Sequence, residues 1–240
     1  VKLYDLLCGR RNLGRSQSLS VDETLRLLPG LNQNGLTGSA RYYDGMTNDA
    51  RLVLDTLRSA SLAGALCVNY IAFEHADREG TQWRASLRDA HSGETFTLAA
   101  RVIVNAAGPW SDHIPGSKTS LRVTKGVHLV VDRSRLPIPD AVVNPEGERI
   151  LFVIPWGERV ILGTTDTDYE GPLEEPPCTA ADVDYVLGVT NGAFPGARLT
   201  PDDIISTWSG LRPLVADPHG KPSDISRRHQ IDMSRPGWWD

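Results

Sequence analysis

Between residues 121 and 131 the side chains alternate. Leu121, Val123, Lys125, Val127, Leu129 and Val131 share one parity; Arg122, Thr124, Gly126, His128 and Val130 share the other. A period of two predicts a strand with one apolar face. The same alternation predicts strands over 150–155, 160–165, 204–209 and 225–233, with Trp156-Gly157-Glu158-Arg159 turning the first two into a hairpin. A helix is predicted over 180–193, opened by Thr179-x-x-Asp182.

Upstream the pattern is mixed. Ser20-x-x-Glu23 is a capping box and Pro29-Gly30 a stop, so a helix is predicted over 21–28. A longer one is predicted over 48–62, with Thr47 as its cap, Asp49 in its first turn and Gly64 at its end. A strand is expected over 66–72. Trp83, Ala85 and Leu87 then alternate with Gln82, Arg84, Ser86 and Arg88, and His91-Ser92-Gly93 turns this strand back into 94–98. Val102-Ile103-Val104 is a short apolar run of the kind that is buried on both faces of a mixed or parallel sheet. The expected architecture is an α/β piece at 47–113 and an α+β lobe, mostly antiparallel sheet, built from 1–46 and 114–240.

Composition narrows the classes. Of 240 residues 40% are hydrophobic, enough for a core, and the formal charge of −5 argues against a global grip on nucleic acid. The longest apolar run, at 150–156, is far short of the roughly 20 residues needed to span a bilayer. Cys8, Cys67 and Cys178 are widely separated, match no metal spacing and read as reduced thiols of a cytosolic protein. No signal or transit pattern opens the chain. It starts at Val1 without Met and stops at Gly237-Trp238-Trp239-Asp240, so it is expected to be a segment of a longer protein.

Five places could carry chemistry. Asn105-Ala106-Ala107-Gly108-Pro109-Trp110 follows a strand with small residues, which leave backbone N–H groups approachable by a ligand; a plain tight turn uses the same residues. His128 shares a face with polar residues beside Gly126 and could act as a general base or be a hydrogen-bonded surface histidine. Arg227 and His229 fall on the apolar parity of 225–233, where a guanidinium needs an anion: a carboxylate such as Asp166, or a ligand phosphate. Arg212, in Ser209-Gly210-Leu211-Arg212-Pro213, poses the same choice. Thr164, in Gly163-Thr164-Thr165-Asp166, could touch a ligand or simply favour strand. No two glycines are separated by a single residue, so a G-x-G-x-x-G phosphate loop is not in these residues.

Taken together, Tyr42-Tyr43-Asp44, Asp49-Ala50-Arg51-Leu52, Asn105-Ala106-Ala107-Gly108-Pro109-Trp110, Lys125-Gly126-Val127-His128, Phe152-Val153-Ile154-Pro155-Trp156, Gly163-Thr164-Thr165-Asp166 and Ser209-Gly210-Leu211-Arg212-Pro213-Leu214 resemble FAD-dependent glycerol-3-phosphate dehydrogenases of the aerobic type. The resemblance implies a glycine/D-amino-acid-oxidase-like architecture, with a partial FAD-binding domain at 47–113 and an antiparallel substrate domain. It implies that Ala106, Ala107, Gly108, Pro109 and Trp110 lie along FAD and that His128 takes the proton of the substrate's C2 hydroxyl. Arg212 and Arg227 would hold the phosphate, with Lys125 and Thr164 as further substrate contacts.

The implied parent oxidises sn-glycerol 3-phosphate to dihydroxyacetone phosphate and passes electrons to a quinone of the respiratory chain at the cytoplasmic membrane surface. The family's G-x-G-x-x-G segment would precede Val1 and a Gly-Gly-Lys segment would follow Asp240. The chain alone is therefore expected to be inactive, to bind FAD weakly and, with sheet edges open, to self-associate. Two other readings stay open: a related FAD-dependent enzyme for amino or 2-hydroxy acids, and a non-catalytic module that binds anions.

Overall fold

The computed structural model describes residues 2–8, 13–147, 149–215 and 230–240. It divides into two compact units, Val1–Pro29 with Gln33–Ala72 and Asp89–Glu94, and Gly30–Asn32 with Phe73–Arg88 and Thr95–Asp240. These bounds differ from those of the lobes expected at 47–113 and on either side of it.

The first unit contains α1 (Lys2–Cys8), β1 (Gln17–Leu19), α2 (Val21–Leu27), β2 (Ser39–Arg41) and α3 (Asp49–Leu62), with β1 antiparallel to β2. The capping box of α2 forms as read: the Glu23 amide donates to Ser20 Oγ and the Ser20 amide to the Glu23 carboxylate. The cap of α3 is Asn48 rather than Thr47, because its Oδ1 reaches the Arg51 amide at 3.0 Å. Gly64, at φ +94°, follows the end of α3 as predicted. The strand expected over 66–72 instead starts at Ile71 and runs on to Glu79.

Strands β3 (Ile71–Glu79), β4 (Gln82–Asp89) and β5 (Thr95–Ala100) form one sheet in that order. After β6 (Ile103–Val104) and a 3-10 helix at Gly108–His113 comes a six-stranded sheet: β7 (Leu121–Asp132), β8 (Val142–Glu146), β9 (Arg149–Trp156), β10 (Arg159–Gly163), β11 (Thr167–Asp168) and β12 (Ile204–Val215). Helix α4 (Ala180–Ala193) lies between β11 and β12 in sequence, and β13 (Met233–Arg235) and β14 (Trp238–Trp239) follow. Residues 225–229 of the strand expected over 225–233, Arg227 among them, lie outside the described residues.

Strand β7 organises this sheet. Along one edge it pairs antiparallel with the length of β12; along the other it pairs first with β11 and then with β10, beyond which lie β9 and β8. One face is the core: Val127, Leu129, Val131, Leu151, Val153, Val160 and Leu162 are buried, and α4 packs on β7, β9 and β10 with Val186 and Leu187 buried as well. Each such side chain stabilises the fold by about 1.5–3 kcal/mol relative to exposure. Because side chains alternate, the other face displays Gly126 and His128.

The run 102–104 behaves differently from the expectation. It is not buried on both faces: Val104 is 67% exposed, and β6 is a two-residue strand parallel to β14. The buried aromatic at this place is Trp238, which packs edge-on against Phe73 and Trp83 with the Arg235 guanidinium 4.4 Å from its ring.

Candidate active site

The ladder on the β10/β11 side of β7 is interrupted. Gly163 is in register with His128 and Thr167 with Lys125, so residues 164–166 loop out opposite Gly126. The buried Thr165 takes over the missing rungs: its Oγ accepts from the Val127 amide at 3.0 Å and donates to the Lys125 carbonyl at 3.4 Å. Thr164 and Asp166 flank it and meet Arg212.

Arg212 is in register with Thr124, and its side chain reaches back over Gly126. A Cβ built at 126 would stand 2.5 Å from one guanidinium nitrogen and 2.7 Å from Thr164 Oγ, so only glycine leaves room there. The guanidinium donates to Thr164 Oγ at 3.3 Å, the Thr165 carbonyl at 3.3 Å and Asp166 Oδ1 at 3.2 Å. Charge-assisted bonds between such partners close to about 2.7–2.9 Å when they are strong. These are longer, and Asp166 is met by one nitrogen rather than in a bidentate fork. The site thus orients Arg212 without consuming its capacity for a stronger anion.

His128 is the next residue on the same face, about 6.6 Å along the strand from Gly126. It is in register with Trp208 on β12 and Gly163 on β10. The imidazole stacks on Trp208, with centroids 5.0 Å apart and planes 17° apart. A Cβ at Gly163 would approach the imidazole Cδ2 to 2.5 Å, so this second glycine fixes how closely the ring lies on the sheet.

Three of the residues singled out in the sequence, His128, Arg212 and Thr164, therefore meet on one face. Lys125 does not join them, and its assignment as a substrate contact is corrected. It points to the opposite face, 6% exposed, where Nζ donates to Asp182 at 2.6 Å and to the Pro177 carbonyl at 2.9 Å. Asp182 also accepts from the Thr179 amide and hydroxyl in the capping box of α4. Burial alone would raise the Asp182 pKa, but the bonds from Lys125 and Thr179 outweigh it and hold the carboxyl below its ordinary range. This ion pair ties α4 to β7. Asp166, suggested by the sequence as a partner for Arg227, faces Arg212. Trp208 was not anticipated, although it shares the parity of Arg212 along 206–212.

The loop after β6 is held by the Asn105 side chain. Its amide nitrogen donates to the Ser111 carbonyl and Asp240 Oδ1, both at 2.8 Å, while its oxygen accepts from the Ala107 amide at 3.3 Å. Gly108 has φ +58° and open space where a Cβ would be; Ala106 and Trp110 are exposed. The 3-10 helix that Gly108 begins packs on β7 and β12. An approachable backbone turn against the strands that carry His128 and Arg212 fits one edge of a flat cofactor. Among the described residues no group of His, Cys, Asp and Glu could hold a metal ion, and all three cysteines are free.

A family model described as FAD dependent oxidoreductase matches residues 2–232. The chain belongs to this FAD-dependent oxidoreductase family. Among curated proteins, an alpha-glycerophosphate oxidase of Streptococcus pyogenes serotype M3 is 41% identical over 251 residues, covering 96% of this chain and 41% of its own length. An aerobic glycerol-3-phosphate dehydrogenase of Staphylococcus aureus (strain USA300) is 36% identical over 244 residues, covering 98% of this chain and 44% of its own. The chain thus spans less than half the length of these relatives. Among solved structures, a glycerol-3-phosphate dehydrogenase from Bacillus halodurans complexed with FAD superposes with a TM-score of 0.79 at 35% identity, over 92% of this chain and 44% of that one. Glycine oxidase from Geobacillus kaustophilus, at 22% identity and a TM-score of 0.71, shares the fold over 99% of this chain and 59% of its own. The mixed architecture with a mostly antiparallel sheet, expected from the sequence, is that of this family.

Proposed function

We propose that this chain is the substrate-binding part of an FAD-dependent enzyme that oxidises sn-glycerol 3-phosphate to dihydroxyacetone phosphate. The observation that carries the reading is the His128–Arg212 arrangement: an imidazole and, over Gly126 two residues away on the same sheet face, a guanidinium. The names of the relatives support the same substrate.

In this reading Arg212 and Thr164 bind the phosphate, with Arg227 as a second cation. A guanidinium presents paired N–H groups that match phosphate oxygens, so it orients as well as neutralises. Binding the phosphate leaves C2 and its hydroxyl beside His128, and the imidazole accepts the hydroxyl proton as the C2 hydride departs. FAD supplies the two-electron acceptor for that hydride. Ala106, Ala107, Gly108, Pro109 and Trp110 would hold one edge of it. The contribution of the protein is position and proton transfer.

The electron acceptor belongs to the same proposal: a quinone at the membrane surface, with dioxygen as the competing acceptor. Without a G-x-G-x-x-G loop among its residues, the chain by itself holds FAD weakly and turns over poorly.

The test uses the full-length protein that contains this chain. Anaerobic addition of glycerol 3-phosphate is expected to bleach the flavin absorbance, while glycine, proline and 2-hydroxy acids leave it unchanged. Bleaching by an amino acid instead would overturn the substrate assignment. Quinone reduction measured beside oxygen consumption then decides the acceptor.

A further inference from the structure

A guanidinium has two donor edges, a terminal one between Nη1 and Nη2 and a lateral one between Nε and Nη2. In Arg212 the terminal edge is taken. Nη1 donates to the Thr165 carbonyl at 3.3 Å and Nη2 to Thr164 Oγ at 3.3 Å, and those two oxygens lie side by side, 3.1 Å apart. The remaining N–H of Nη1 donates to Asp166 Oδ1 at 3.2 Å. Nε meets no acceptor among the described residues and is not sealed from solvent, and the side chain is 29% exposed. The lateral edge is therefore open to a ligand.

Elsewhere in this chain the lateral edge is the one that grips carboxylates in pairs. Arg84 holds Glu79, and Arg122 holds Asp168, through Nε and Nη2 with each bond at 2.7 Å. Arg212 does not hold Asp166 in that way; Asp166 meets Nη1 alone. We infer that Asp166 is a positioning residue for Arg212: by occupying Nη1 it pins the terminal edge against the 164–166 loop and leaves the lateral edge, Nε and Nη2, to grip two oxygens of the phosphate. The inference rests on the phosphate-binding role proposed for Arg212.

A side chain already fixed in its bound orientation spares the ligand the cost of ordering it. Without Asp166, Nη1 keeps one neutral acceptor and the guanidinium can turn away from the loop. The experiment measures KM for glycerol 3-phosphate, and Ki for inorganic phosphate as a competitive inhibitor, in the full-length, FAD-loaded protein. Asp166→Ala is expected to raise both about tenfold, the scale of one ordered side chain. Asp166→Asn, which keeps an oxygen acceptor on a side chain of the same shape, is expected to recover most of that loss. In an Arg212→Ala background, Asp166→Ala is expected to change neither constant by more than about twofold, because the group it positions is gone.

Equal effects of Asp166→Ala with and without Arg212 overturn the inference, because a packing defect in the loop acts in both backgrounds. So do unchanged constants for Asp166→Ala with Arg212 in place. If the alanine variant does not accumulate, Asp166→Ser removes the carboxylate while staying polar and is judged by the same comparison. Arg212→Ala by itself separates the two roles. An unchanged KM there sinks the phosphate-binding role of Arg212, whereas a raised KM with an additive Asp166 effect sinks only the role given to Asp166.

Discussion

The guanidinium of Arg212 lies against Gly126, closer than any residue with a Cβ would permit. The glycine is in the middle of a buried strand, where its lack of a side chain costs stability relative to alanine. What it provides in return is a surface on which the cation can lie beside Thr164. Gly126→Ala is therefore expected to push the guanidinium off the sheet and raise KM for glycerol 3-phosphate about tenfold, the loss of one charge-assisted hydrogen bond, with kcat changed little. Steady-state kinetics of the full-length protein checks it; an unchanged KM would show that the phosphate is held elsewhere.

Gly163 makes the complementary prediction. A Cβ there meets the imidazole of His128 at 2.5 Å and the Val127 carbonyl at 3.0 Å. Gly163→Ala should tilt the ring out of its stack on Trp208 while leaving Arg212 in place. The expected result is a fall in kcat of one to two orders of magnitude, the scale of a misplaced proton acceptor, with KM nearly preserved. If the two alanine variants lose the same parameter to the same extent, the division of labour between guanidinium and imidazole is wrong.

The Lys125–Asp182 pair should act on stability instead. Both side chains are almost fully buried, and removing one partner leaves the other charge uncompensated. Such losses cost about 3–5 kcal/mol, whereas replacing both partners by neutral groups costs much less. Lys125→Met should lower the urea midpoint sharply, and adding Asp182→Asn should restore much of it, with KM for substrate unaffected in whatever protein remains folded. A raised KM at unchanged stability would return Lys125 to the substrate site.

How much of this was legible in the sequence depended on whether the cause was local. The capping boxes at Ser20-x-x-Glu23 and Thr179-x-x-Asp182 and the alternation along 121–131 are local, and the elements they specify formed where expected. The parity of β7 also placed His128 and Gly126 on one face. What could not be read was which strand lies beside which. Arg212 reaches Thr164 because β12 and β10 flank the same strand, a pairing between residues far apart in the chain. Lys125 illustrates the failure most clearly. Its parity put it on the core face, but without knowing that α4 brings Asp182 there, the ammonium looked available for substrate. Val104 failed for the reverse reason: an apolar run suggested burial, and the neighbour that it meets, β14, covers it on one edge only.

Asn105 links the loop after β6 to an acid-sensitive contact. Burial pushes the Asp240 carboxyl upward, but hydrogen bonds from Ser234, Asn105, Trp238 and Ser117 prevail and hold its pKa at about 2, against an ordinary 3.8. A carboxyl depressed on folding contributes stability that is fully present above its unfolded value and is lost as pH falls through the folded one. This contact should therefore support the structure down to about pH 4 and fade between there and pH 2. Asn105→Ala removes one of the donors and also frees the Ala107 amide. It should raise the midpoint of acid unfolding toward pH 4 and loosen residues 106–110, so that the full-length protein retains less FAD through gel filtration. Acid titration followed by circular dichroism, with flavin content measured on the same samples, tests both halves. An Asn105→Ala protein that keeps its full FAD complement would mean that the turn at Gly108 does not line the cofactor.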